Sequence, residues 1–587
     1  MISKSFIQQQ LATNEIELNF EAIQLICDLS SDFDESVELS NFLIFMFQSL
    51  NNGSVCLTLS KNHQFESDVD WVTSFLQKLN DFESLIHEGY SQHHPILFEV
   101  LENGSHRFFF HKYFMDRNET RDLLVNLANK NLSSTCNTQE IIDQLYQEDY
   151  ALRISKNGLL LARDPWQLQA IEKSLTNDFL IISGGPGTGK TSLMVNILRG
   201  LTQLGLKDIH LIAPTGRASQ RMTEALRVNL STISNPSADD LYLFNEIEGK
   251  TIHRLLKMRG DGDFFYNAKR RLKSQVIVVD EVSMIDADLM SALLSSLDLN
   301  QTKLIFLGDK NQLPSVQAGA VFSDLLSMKE LSTSLIELRT SYRSKQVIQK
   351  FAKSINSKGY TCEDSFLNEI PALGDDHYYF LNDQKNDTRE SILKSWLKLS
   401  YLSSQWTDLL VKDDHESTLM QAFDQAKQFQ ILTASRRGKL GCENLNQWCI
   451  QQLQPKLSQG PLFHGAVILV KTNDYQKKLF NGDTGIVWQS KTGAIRVYFQ
   501  RGDQIISFSR SELPLWEYGF CMTVHKAQGC EFDHVLFVIS NAPSDKIYNK
   551  QLVYTAITRA KKSVGVLSNQ KLFEKAVKTA VHRESSF

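Results

Sequence analysis

From about Asp164 onward the chain alternates short apolar runs with segments of helical period. The runs Phe179–Ile182, Ile209–Ala213, Val276–Val279, Leu304–Leu307, Gln430–Thr433, Val535–Ile539 and Val564–Leu567 each end in a turn rich in Gly, Asp, Thr or Ser. Between many of them apolar residues recur at helical spacing, as at Leu193, Ile197, Leu201 and Leu204. Buried strands alternating with such helices predict parallel α/β sheets, and these runs suffice for two. Residues 460–515 break the pattern. There Ala466–Val470, Ile486–Trp488 and Ile495–Phe499, with turns at Asn481-Gly482 and Arg501-Gly502-Asp503, predict a small barrel-like β insertion in the second unit. The polar stretch 382–424 predicts helices, and the amphipathic stretches Phe20–Ile26 and Phe42–Leu50 predict a mainly helical N-terminal domain over 1–150.

Length and composition narrow this picture without changing it. The 587 residues make about three to five folding units. The longest apolar run is Phe42–Phe47, too short to predict a membrane span, and the opening stretch lacks the apolar segment of a secretory signal. Eight cysteines without a CxxC pair predict free thiols and a cytoplasmic location.

The net charge of −5 is an average over unlike parts. Residues 1–150 hold 8 Lys+Arg against 23 Asp+Glu, whereas residues 151–587 hold 54 against 44. So acidic a first part is a poor binder of DNA and a candidate for docking on a protein partner.

Candidate chemistry begins at Gly184-Gly185-Pro186-Gly187-Thr188-Gly189-Lys190-Thr191, which fits GxxxxGK[ST] between a strand and a helix. Its glycines let backbone N–H groups surround a phosphate, Lys190 reaches the β/γ-phosphates, and Thr191 offers a hydroxyl to Mg²⁺. A second metal carboxylate is supplied by Asp280 after the run Val276–Val279, and Glu281 is suited to activate the attacking water. The two motifs together predict hydrolysis of a nucleoside triphosphate with Mg²⁺, and the resemblance drawn below makes the nucleotide ATP.

Further polar residues follow other strands: Thr215, Gly216 and Arg217 in LIAPTGRAS, and Asp309 and Gln312 in LIFLGDKNQLPSV. Later come Arg343 in LRTSYRS, Thr523, His525, Gln528 and Glu531 in TVHKAQGCEFD, and Arg559 in YTAITRAKK. With GDKNQLPSV, NDYQKKLFNGDTG and TVHKAQGCEFDHV in this order, the chain resembles the superfamily-1 DNA helicases. Within them it is similar to the RecD family, the alpha subunits of exodeoxyribonuclease V. The resemblance covers about Asp164 to Lys562.

The resemblance implies two RecA-like P-loop motor domains, 151–335 and 336–587, the second carrying an SH3-like insertion near 460–515. A small accessory element with a strand-separating pin is expected near 227–250. Gln167, beside Trp166, is the implied adenine reader. Gly185, Pro186, Gly187, Thr188, Gly189 and Ser192 join Lys190 and Thr191 around the nucleotide, and Glu531 contacts its ribose. Gln312 is the implied γ-phosphate sensor, and Arg343 and Arg559 are the two arginine fingers, whose forked charge suits a transferring phosphoryl. Thr215, Gly216, Arg217, Thr251, His253, Thr523 and His525 match contacts to the backbone of single-stranded DNA, which grip without sequence preference. Ala527, Cys530 and Ser192 depart from the family pattern, small residue for small residue, and remove no charged group.

No cluster of carboxylates with a nearby Lys suits a metal nuclease outside the ATPase motifs. The resemblance therefore implies a motor subunit in a heterotrimer with RecB-like and RecC-like subunits, the cutting site lying in the former. The implied activity is 5′-to-3′ movement on single-stranded and duplex-end DNA during double-strand break repair and recombination. A stand-alone DNA repair helicase is the alternative.

Overall fold

The structure, a computed structural model, describes residues 11, 18–31, 36–60, 71–130, 137–153, 158–260, 262–315, 317–342, 347–357, 360–362, 364–457, 461–474, 476–490, 493–502, 504–540, 547–579 and 583. Four sheets organise them. The first contains β1 (Cys56–Leu59), β2 (Ile86–Glu88), β3 (Ile96–Val100) and β4 (His106–Phe110), in the order β1-β4-β3-β2. It packs with the helices Val37–Asn51 and Trp71–Gln77 around stacked Phe42 and Phe75, whose ring centroids lie 4.3 Å apart. The N-terminal region thus carries a four-stranded sheet beside its helices. Its hairpin β3–β4 turns at Asn103-Gly104, where Gly104 has φ +78°, a conformation that favours glycine.

The first α/β sheet is wholly parallel. Its strands are β5 (Phe179–Gly184), β6 (Ile209–Ala213), β7 (Gly249–Thr251), β8 (Val276–Val279), β9 (Lys303–Gly308) and β10 (Leu335–Leu338), in the order β10-β5-β9-β8-β6-β7. Every residue of β5, β8 and β9 is buried, as expected of strands covered on both faces. The helix His111–Asn129 belongs to this core: Leu124 and Leu127 pack in the cluster that holds Phe179, Ile277 and Met290. Three of the N-terminal region's few cations face the same way, Lys112 to Asp288, Arg121 to Glu330 and Lys130 to Asp178.

Residues 227–250, the candidate for a small accessory element, pack against the first motor fold. Their helix Ala238–Glu246 places Leu243 in its apolar core and Asp240 against Arg199 at 2.6 Å, each side chain only 3% exposed. The physical cause is this buried pair, which ties the segment to the helix Lys190–Gln203. Residues 257–260 and 262–273 are largely exposed, and there Phe265 lies under Lys257, Arg259 and Arg270.

The second α/β sheet is also parallel, with strands β11 (Phe366–Leu367), β12 (His377–Asn382), β13 (Phe429–Thr433), β19 (Cys521–Thr523), β20 (Phe532–Val538) and β21 (Ala560–Ser568), in the order β11-β12-β21-β20-β13-β19. Between β13 and β19 runs a five-stranded antiparallel sheet. Its strands are β14 (Val467–Val470), β15 (Thr484–Gln489), β16 (Ile495–Arg501), β17 (Gln504–Phe508) and β18 (Trp516–Tyr518). Residues 382–424 are largely helical, as anticipated: Asn386–Leu399, Ser404–Leu410 and most of Glu416–Ala426. No helix among the described residues is long and apolar enough to cross a membrane.

Candidate nucleotide and DNA sites

Three neighbouring strand ends of the first sheet bring the main polar groups together. The loop after β5 carries Lys190, the end of β9 leads to Asp309 and Gln312, and the end of β8 leads to Asp280 and Glu281. Carboxyl ends of parallel strands are where α/β folds bind ligands. In the loop, Gly187 and Gly189 both have φ +78°, and a Cβ on Gly189 would meet Gln167 Nε2 at 2.7 Å. The left-handed φ at both positions favours glycine. Gly189 opens the helix Lys190–Gln203, whose first N–H groups and dipole suit an anion. Lys190 Nζ donates to Gly184 O, and Thr188 Oγ1 donates to Gly185 O at 2.8 Å.

Asp280 is partly buried, and desolvation, followed by the nearby Glu281, pushes its carboxyl up to about 6 against the pull of Lys190. It accepts the Glu281 N–H at 2.8 Å. Glu281 itself has φ +54°, a costly backbone for a residue with a Cβ and of a kind that gathers at functional sites. Gln312 Nε2 donates to Asp309 Oδ2 at 3.3 Å, and burial raises the Asp309 carboxyl.

The adenine-reading candidate is set by its own helix start. Asp164 caps Pro165–Thr176, accepting from Trp166 N and Gln167 N at 3.0 Å each, with Pro165 in the first turn. Gln167 Nε2 donates to Thr188 O at 3.0 Å, and its buried Oε1 has no donor among the described residues. That leaves an acceptor suited to an amino group on a bound base. Arg339 lies over the Trp166 ring at 4.4 Å.

A cavity of about 380 Å³ joins these groups to the second motor fold. Its wall includes residues 185–192, Asp280, Glu281 and Gln312 on one side, and Gly529, Glu531 and Arg559 on the other. Arg559 is buried, donating from Nη1 to Cys530 O at 3.1 Å and from Nε to Thr555 O at 3.2 Å. Bonds also cross directly between the two folds: Leu313 N to Thr555 Oγ1 at 2.9 Å, Gln528 Nε2 to Leu313 O at 3.0 Å and Tyr554 Oη to Asp309 Oδ2 at 3.2 Å. Arg343 lies outside the described residues. Its neighbour Tyr342 donates N–H to Gly187 O at 2.8 Å, and its hydroxyl, raised by burial and by Asp164, bonds that carboxylate.

The DNA-contact candidates gather at strand ends as well. Thr215, Thr251 and Thr523 follow or end β6, β7 and β19, and each hydroxyl oxygen accepts a backbone N–H three residues on, at 3.2, 3.1 and 3.3 Å. Thr215 and Thr251 thereby cap helices, and Thr523 heads a turn. Gly216 and Arg217 meet the insertion's loop: Arg217 Nη1 donates to Gly482 O at 3.2 Å, and a Cβ on Gly216 would come within 3.2 Å of Phe480. His253 stands 5.9 Å from Phe264, and burial lowers both it and His525. Motif reasoning missed Tyr342, Arg339 and Arg221. LRTSYRS holds the first two, but only the fold brings them to the loop after β5.

A P-loop, an acidic pair at a neighbouring strand end and two parallel sheets suit an ATP-driven motor, and the matches to known proteins make the chain an ATP-dependent DNA helicase of superfamily 1. The AAA domain family matches residues 167–318, and the UvrD-like helicase C-terminal domain matches residues 518–567. The chain belongs to the RecD family. It is 31% identical to the RecBCD enzyme subunit RecD of Haemophilus influenzae over 72% of this chain and 71% of that one. It is also 26% identical to the ATP-dependent RecD2 DNA helicase of Deinococcus radiodurans, over 67% of this chain and 47% of the relative. A structure of Pif1 helicases unwinding forked double-stranded DNA is 16% identical, covering 70% of this chain and 94% of that one with a TM-score of 0.40.

Proposed function

We propose that the chain is the 5′-to-3′ motor subunit of a helicase–nuclease acting at DNA ends in double-strand break repair and recombination. The observation that carries this reading is the convergence of Lys190, Gln312 and Asp280 from three adjacent strand ends onto a cavity closed by the second motor fold. In this reading the backbone around Gly185–Gly189 and the Lys190 ammonium hold the phosphates of ATP, while Gln167 reads the base and Glu531 the ribose. Mg²⁺, held by Thr191 and Asp280, would neutralise charge on the β- and γ-oxygens. Glu281 orients and deprotonates the attacking water, Gln312 senses the γ-phosphate, and Arg343 and Arg559 meet its developing charge. Because the arginines belong to the second fold, nucleotide favours a closed cleft, and release of products favours an open one. Thr215, Gly216, Arg217, Thr251, His253, Thr523 and His525 grip the strand alternately as the cleft works.

The division into 1–150, 151–335 and 336–587 belongs to this reading. So does assignment of strand separation to the exposed residues 262–273, whose Phe265 and surrounding cations suit a forked duplex. The acidic N-terminal region turns cations toward the first motor fold, which leaves its excess negative charge for a RecC-like partner, with the nuclease in a RecB-like subunit. The test is unwinding of tailed duplexes by the chain, alone and with co-expressed partners. Unwinding of 5′-tailed duplex, weakened by Phe265→Ala, is the expected result. Preference for 3′ tails would overturn the polarity, and a fully active lone monomer that captures no partner would favour the stand-alone alternative.

A further inference from the structure

The helix Gly216–Leu230 begins at the DNA-contact candidates and then runs past the nucleotide cavity. Arg217 and Arg221, four residues apart, lie on one face of it and both reach across to the second motor fold. Arg217 takes Gly482 O, as described above. Arg221 Nη1 donates to Gly529 O at 2.7 Å, and its Nη2 lies 3.2 Å from Glu531 Oε2. The side chain is 43% exposed, so it stands at the mouth of the cavity rather than inside it. Glu531 and Glu281 support its charge, against the opposing effect of burial.

The loop that Arg221 holds is also held from behind. Arg559 Nη1 donates to Cys530 O at 3.1 Å, and Arg559 O accepts from Phe532 N at 2.8 Å. Gly529 has φ +73°, and a Cβ there would stand 3.7 Å from Ala218, so the turn lies close along the helix. An arginine from each motor fold therefore grips the same three residues, 529–531. That loop continues directly from Thr523 and His525, and Gln528 ties it to Leu313, next to Gln312. One short segment thus runs from the DNA face to the nucleotide face, and Arg221 clasps its nucleotide end.

We propose that Arg221 is a positioning residue that couples DNA contact at Thr523–His525 to ATP turnover, by holding Gly529 and Glu531 in register with the first motor fold. The inference rests on the helicase reading and adds to it a residue outside the nucleotide- and DNA-contact candidates. The forked guanidinium matters because it spans a carbonyl and a carboxylate two residues apart, whereas the point charge of lysine serves one of them.

The test is ATP turnover by the full chain at saturating ATP, with and without oligo(dT), read as the ratio of the two rates together with KM for ATP. Arg221→Ala should reduce the stimulation ratio roughly tenfold, and Arg221→Lys should restore it only in part. Glu531→Gln combined with Arg221→Ala should reduce the ratio no further than the worse single variant, because both break the same clasp. Thermal melting of each variant separates loss of coupling from loss of fold. A wild-type ratio in Arg221→Ala, full rescue by Arg221→Lys, or multiplicative losses in the double variant would each overturn the proposal. Absence of stimulation in the unsubstituted chain would instead contradict the helicase reading itself.

Discussion

The buried pair Arg199–Asp240 gives a quantitative test of how the first motor fold is held together behind the P-loop. Asp240 accepts from Arg199 Nε at 2.6 Å and Nη2 at 3.4 Å, and Arg199 also donates to Tyr150 O at 2.7 Å and Asn196 Oδ1 at 3.3 Å. The same carboxylate accepts from Ser237 N and Ser237 Oγ at 2.9 Å each, closing a capping box on the helix Ala238–Glu246. Asp240→Ala leaves a buried guanidinium uncompensated, a loss of about 3–5 kcal/mol, and removes half of a cap worth about 1 kcal/mol. The remaining bonds from Arg199 to Tyr150 and Asn196 soften the first figure, so a net loss of about 3–4 kcal/mol is expected. Native-state hydrogen exchange resolved by mass spectrometry is the assay, because it reads regions of a multi-domain protein separately. Peptides from 190–203 and 238–246 should lose that much opening free energy, while those from β13 and β20 stay unchanged. Removing both charges with Arg199→Met and Asp240→Leu should recover most of the loss, since an apolar pair of similar volume needs no compensation. A loss under about 1 kcal/mol, the size of an exposed ion pair, would refute the reasoning. So would a double variant as weak as Asp240→Ala.

The nucleotide site supplies further expectations. Because the folded value of Asp280 is raised, its ionisation costs native stability: the cost is absent below the unfolded range near 4 and complete above the folded value near 6. The metal-free protein should therefore gain stability from this group as pH falls from 7 toward 4, while Mg²⁺ binding weakens. From pH 7.5 to 5.5 the Mg²⁺ needed for half-maximal turnover should rise roughly fourfold, and an unchanged requirement would contradict Asp280 as the metal carboxylate. Gln167→Ala removes the bond to Thr188 O and the buried acceptor Oε1, so KM for ATP should rise about tenfold with little change for GTP. Parallel steady-state runs check this, and equal shifts for both nucleotides would exclude Gln167 as a reader of the base.

Much of the motor was legible in the chain because strands buried on both faces are written as unbroken apolar runs. β6 and β8 coincide with the runs Ile209–Ala213 and Val276–Val279. β7 was not legible: Gly249, Lys250 and Thr251 form a half-buried edge strand through backbone pairing with β6, with no apolar pattern to announce it. The N-terminal sheet was hidden differently. Its strands are three to five residues long, and β3 and β4 read as one aromatic-rich stretch unless the Asn103-Gly104 turn is weighted. The P-loop and Asp280 were legible because backbone chemistry restricts which residues can serve there. Arg221 was not, since an arginine in mid-helix acquires meaning only when Gly529 and Glu531 arrive from more than 300 positions away.

In the proposed motor, Lys190, Asp280 and Glu281 carry the ATP hydrolysis that drives the chain along DNA. This assignment is tested most directly by single-stranded-DNA-dependent ATP turnover of Lys190→Gln beside the unsubstituted chain, with partner binding measured on the same preparations. Lys190→Gln should lose turnover by at least about a hundredfold while binding partners as before. Turnover that survives the substitution would contradict the account.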